Sequence, residues 1–93
     1  MIAFLGNTPG KIFDEKNYSV IKKSLAINEK VEKHNHPDNE VLLTVVKGEI
    51  SIVLNDKENY KLEPGKILKF DGDNYISISA NEQSEFFVTL IKK

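Results

Sequence analysis

An all-β fold is the class this sequence predicts, and three observations carry the prediction. Apolar residues alternate with a period close to two, turn-forming clusters recur roughly every 8 to 12 residues, and the segments between them leave helices little room. From Ser19 onward the clusters are "INEKVEK", "NHPDN", "NDKEN", "EPG", "DGDN" and "ANEQSE". Between them, "VLLTVV" places Val41, Leu43 and Val45 on one face and Leu42, Thr44 and Val46 on the other. "EISIVLN" aligns Ile50, Ile52 and Leu54, and "NYISISA" sets Ile76 and Ile78 against Tyr75, Ser77 and Ser79. "EFFVTLIKK" divides into Phe86, Val88 and Leu90 on one side and Phe87, Thr89 and Ile91 on the other. Strands apolar on both faces imply two packed sheets with little slack, or a surface closed by another subunit, so a homodimer is expected.

A chain of 93 residues suits one domain, and no repeat, linker or composition shift divides residues 1–93. Such a chain buries only about 60 to 65 per cent of its unfolded surface, which means one small core. An apolar fraction of 40% with 29% charged residues is the composition of a soluble globular domain rather than a disordered segment. Net charge is -1 and all thirteen basic residues are lysine, so the forked guanidinium that reads phosphate or guanine is missing and nucleic-acid recognition is disfavoured. The absence of cysteine excludes disulfides and thiol chemistry. The start, "MIAFLGNTPG", has an apolar run of five residues and no basic region ahead of it, so neither a secretory signal nor a membrane span is expected and the cytoplasm is the expected compartment.

One stretch carries chemistry. "HNHPDNE" holds both histidines, His34 and His36, one residue apart, with Glu40 just downstream. On a strand, residues i and i+2 share a face and present two imidazoles to one ion. The same letters also suit a surface loop without a ligand. Other candidates read as turns: "DGDN" lacks the spacing and terminal glutamate of a calcium loop, "EPG" has the order of a type II turn, and "NTPG" is likewise a turn. "EKVEK" is expected to be a solvated mixed-charge loop. No phosphate-binding glycine loop and no GxSxG elbow is present, which disfavours serine and cysteine hydrolase chemistry.

The order of features in "HNHPDNEVLLTVVKGEISIVLNDKENYKLEPGKILKFDGDNYISI" resembles the motif-bearing core of the small single-domain cupins of the cupin 2 type. The resemblance implies a jelly-roll β-barrel. His34, His36, Glu40 and Gly48 supply most of the first family motif, with Asn28 where its first glycine belongs. Gly65 opens the second motif and Gly72 sits near its turn, while Asp71 takes the proline position, Tyr75 the histidine and Ser79 the asparagine. The "KLEPGKILKF" and "FFVTLIKK" segments are similar to small cupins of unassigned function.

By that resemblance the metal-ligand set would be His34, His36, Glu40 and Tyr75, holding a divalent transition metal or none. Glu40 lies at the family distance from His36, yet seven residues rather than six separate it from Gly48. If Gly48 sets the register, the ligand position falls on Val41 and Glu40 faces away, because a one-residue slip reverses the face of a strand side chain. A bulge or a bend at Pro37 would restore it. Tyr75 is a poor substitute for histidine, since a phenol with a pKa of about 10 must lose its proton to ligate well. A barrel of this size holds one small molecule, and Tyr75 or Phe70 with the histidines are candidates to line it. Equally, Phe70, Phe86 and Phe87 fill the core or an interface, and alternation groups Tyr75 with two outward serines. Three functions follow: a non-catalytic small-molecule-binding cupin with a degenerate metal site, a metal-dependent enzyme of isomerase or dioxygenase type using His34 and His36, or a structural or sensory module acting through its dimer surface. No catalytic residue is assigned.

Overall fold

Nine strands build the computed structural model, which describes residues 2–93: β1 (Gly10–Asp14), β2 (Tyr18–Leu25), β3 (Lys30–His34), β4 (Asn39–Lys47), β5 (Ile50–Leu54), β6 (Glu58–Leu62), β7 (Ile67–Asp71), β8 (Ile76–Ala80) and β9 (Ser84–Lys92). They form a five-stranded sheet in the order β1-β2-β9-β4-β7 and a four-stranded sheet in the order β3-β8-β5-β6, with every pairing antiparallel. The all-β jelly-roll expectation therefore holds. No helix among the described residues is long and apolar enough to cross a membrane.

The alternation in the sequence is the alternation of the core. Val41, Leu43 and Val45 of β4 point inward at 1% exposure each, opposite Ile50 and Ile52 of β5 at 0% in the facing sheet. Ile76 and Ile78 of β8 and Phe86 and Val88 of β9 complete the same cluster. On the reverse of the large sheet, Leu42, Thr44 and Phe87 are only half-buried and Ile91 is exposed, so these strands are covered on one side and left partly bare on the other.

Turn residues act where their backbone freedom is needed. Asn55 and Asp56 both have positive φ, and the Lys57 N–H donates to the Leu54 carbonyl at 3.0 Å, the pattern of a type I′ hairpin joining β5 to β6. Lys66 closes the "EPG" turn by donating to Glu63 at 3.0 Å, and Asn74 closes "DGDN" by donating to Asp71 at 3.1 Å. Asn28, where the family motif carries glycine, sits at φ 71°, a left-handed conformation that asparagine tolerates better than most residues.

Two local expectations are corrected. "EKVEK" is not a loop: Lys30–His34 forms β3, paired with β8 through Lys30↔Ser79 and Val31↔Ile78. As an edge strand it tolerates charged side chains, and the half-buried Val31 alone packs onto the core. The strand rhythm also begins before Ser19, with β1 and the first residue of β2. An Ile52→Ala variant should lose about 2–5 kcal/mol in denaturant unfolding through the cavity left between the sheets, whereas surface Glu82→Ala should stay within about 0.5 kcal/mol.

Candidate functional site

The histidines are set in place by backbone contacts between two loops. β3 ends at His34, and the chain turns through Pro37 and Asp38 to enter β4 at Asn39. The His36 N–H donates to the Gly72 carbonyl at 2.8 Å, and the Gly72 N–H donates to the Asn39 carbonyl at 2.8 Å. This approach needs glycine, because a Cβ at position 72 would lie 2.6 Å from the Asn39 carbonyl oxygen and closer still to that of His36. The Asp38 N–H adds a bond to the Asp73 carboxylate at 3.1 Å. The β3–β4 loop is thereby tied to the β7–β8 turn.

Within this frame the imidazoles pack edge to face, 4.7 Å between centroids, with the two Nε2 atoms 3.0 Å apart. His34 Nδ1 lies 2.7 Å from the Glu32 carbonyl, which can only accept, so Nδ1 carries the proton. In the neutral ring, His34 Nε2 is then the acceptor and His36 Nε2–H the donor. Burial above all, then the His34 ring and the Lys23 ammonium, hold His36 below the ordinary imidazole value of 6.5. The unfolded chain therefore takes up this proton first. The stability linked to His36 is full above pH 6.5 and is lost as the pH falls through the lower folded value.

Behind the pair opens a cavity of about 360 Å³ between the sheets. Val41, Leu43, Phe70, Ile76, Phe86 and Val88 are among its walls, while His34, His36 and Lys23 are its nitrogen-bearing residues. Lys23 lies opposite Phe86 in the β2–β9 register and so belongs to the inward row of Ile21 and Leu25. It was missed in the sequence, although a lysine interrupting the apolar row of "IKKSL" was a readable signal.

Two members of the expected ligand set are elsewhere. Glu40 does not reach the histidines: it pairs with Lys69 at 2.8 Å and lines a separate depression with Lys69, Phe70, Asp71 and Lys93. The physical reason is register, for Glu40 pairs with Asp71 and Ile91, and the adjacent Val41 takes the inward position. No bend at Pro37 restores it. Tyr75 is also outside the cavity, 46% exposed, with Lys33 Nζ 5.8 Å from its ring centroid, while Ile76 beside it faces inward. Tyr75 is therefore neither a ligand beside the pair nor a wall of the cavity. Phe70 and Phe86 are both core and cavity wall.

The donor set does not fit a resident transition metal. A spacing of 3.0 Å between the Nε2 atoms suits two bonds of about 2.1 Å to one ion, but the neighbouring inward positions hold Val41 and Ile76, which offer no donor. Among the described residues no group of three His, Asp or Glu side chains is placed to hold a metal. The Lys23 ammonium beside the pair adds a repulsive charge for any cation.

No protein-family model and no curated protein sequence matches the chain. Solved structures do. A RmlC-like cupin family protein with a double-stranded β-helix fold from Methanocaldococcus jannaschii is similar at 23% identity and a TM-score of 0.79, over 99% of this chain and 93% of that one. A cupin superfamily protein from Desulfitobacterium hafniense aligns at 16% identity and a TM-score of 0.81, over 89% of this chain and 74% of that one. A conserved protein with a double-stranded β-helix domain from Klebsiella pneumoniae aligns at 15% identity and a TM-score of 0.83, over 91% and 76%. At these identities the shared property is the fold, the double-stranded β-helix of cupins. In an NMR titration the His36 ring should protonate with a midpoint below 6.5, and Lys23→Gln should raise that midpoint by removing a neighbouring positive charge.

Proposed function

We propose that this cupin-fold chain is a small-molecule-binding barrel whose site works without a bound metal. The observation that carries the reading is the cavity between the sheets, about 360 Å³ with mainly aliphatic and aromatic walls and its polar side chains limited to His34, His36 and Lys23. That volume lies at the low end of the roughly 300–1,000 Å³ of small-molecule sites, and a few polar groups set in apolar walls is the usual way such sites orient a ligand. The alternative of a metal-dependent isomerase or dioxygenase asks for a third donor, and the side chains beside the pair are Val41 and Ile76. A neutral apolar probe such as 1-hexanol should shift the methyl resonances of Leu43, Ile76 and Val88, equally in the presence and absence of EDTA. An Ile21→Phe variant, filling the cavity from β2, should weaken this about tenfold or more. Binding that needs added metal would return the enzyme reading to first place.

We further propose that a second copy of this chain covers the outer face of the five-stranded sheet. Leu42, Thr44, Ile67 and Phe87 form an apolar strip there by register, with Ile67 59% exposed. The charges at its margins are already matched within each sheet, Lys22 with Glu85 at 2.9 Å and Lys69 with Glu40 at 2.8 Å. Two such faces related by a two-fold axis therefore meet without uncompensated like charge. Light scattering at tens of micromolar should give a dimer, and Ile67→Lys with Phe87→Lys a folded monomer; a monomeric parent protein would remove the proposal.

A further inference from the structure

We infer that the ligand class of the cavity is a small carboxylic acid, bound as its anion, with the carboxylate at the Lys23 ammonium and an apolar body between Leu43, Phe70, Phe86 and Val88. This rests on the small-molecule reading above and adds the chemistry of the head group. The cavity is one-sided in charge. The chain carries 14 acidic residues against 13 basic ones, yet no carboxylate lines this space, and every ionisable group that does is nitrogenous.

Lys23 is the informative residue. Its neighbour Lys22 points to the opposite face and is matched by Glu85 at 2.9 Å. Among the described residues Lys23 is one of six lysines that form no such pair, and the one of the six that lines this cavity. An inward lysine on an edge strand can serve simply to discourage edge-to-edge association. β2 is not an edge, since β1 and β9 flank it, so that explanation does not apply. Lys23 is exposed, so its ammonium sits at the open mouth of the cavity, above apolar walls, where an anion that brings its own apolar surface matches it.

The charge count also selects among anions. Lys23 is the one lysine lining the cavity, the chain has no arginine, and the imidazoles already bond to each other and to the Glu32 carbonyl. One ammonium balances a monoanion such as a carboxylate and leaves a phosphate dianion undercompensated.

The test compares hexanoate and 3-phenylpropanoate with their primary amides, which match them in shape and lack the charge, on the full chain by calorimetry or NMR. The acids should bind about tenfold more tightly than the amides in the parent protein. Lys23→Gln should bring acid and amide to within about twofold, Lys23→Glu should reverse the order, and Lys22→Gln should keep the parent ratio. Lys23 lies at a surface-accessible end of the cavity and Lys22 on the outer face of the sheet, and unchanged circular dichroism identifies variants that have kept the fold. Acid and amide binding equally well, or a preference that survives Lys23→Gln, overturns the inference and leaves the small-molecule reading standing. Failure of acids, amides and 1-hexanol alike overturns both.

Discussion

The register of β4 is the constraint on which the rest depends. This strand is paired on both sides, to β9 and to β7, and its inward set Val41, Leu43 and Val45 lies at the centre of the apolar cluster. Sliding β4 by one residue would put Leu42, Thr44 and Val46 inside and would expose three fully buried side chains, at a cost of about 1.5–3 kcal/mol each. The same register sends Glu40 outward to Lys69 and leaves Val41 at the cavity wall. Packing thus decides the chemistry of the site: the strand's hydrophobic demand outweighs any placement of the carboxylate beside the histidines.

What remains near the pair is a different kind of centre. Two imidazoles in mutual hydrogen bonding, ordered by Glu32 and by the Gly72 contact, keep the arrangement that would suit two ligands of an ion. With no carboxylate on its walls and Lys23 at its mouth, the cavity carries only nitrogenous ionisable groups, the basis of the anionic ligand proposed above. A fold able to host many chemistries leaves function to the side chains at such sites. The two proposed surfaces are separate in the same sense, since the cavity uses the inward rows of β2, β4 and β9 and the association face uses their outward rows.

Much of this was legible in the residues. Period-two alternation identified the inward faces of β4, β5 and β8 and divided β9 into its two faces, and the "NDKEN", "EPG" and "DGDN" turns stand where turn chemistry placed them. Counting to Gly48 offered Val41 as the inward residue, and grouping Tyr75 with Ser77 and Ser79 offered its outward direction, although the expected ligand set still included Glu40 and Tyr75. β3 was not legible, because five residues with three charges have little apolar pattern of their own and become a strand only through pairing with β8.

The sequence by itself determined the class of fold, the inner rows of β4, β5 and β8 and the candidacy of His34 and His36, since each depends on spacing along one strand or turn. Only the tertiary structure decided what stands beside those histidines. Lys23 is 11 residues before His34 and Phe86 is 50 after His36 in the chain, and only the pairing of β2 with β9 and the packing of one sheet on the other bring them to one cavity. Distances of that kind are set by long-range packing, which local periodicity does not encode. The "HNHPDNE" motif therefore specified two imidazoles, while the side chains that surround them came from the fold.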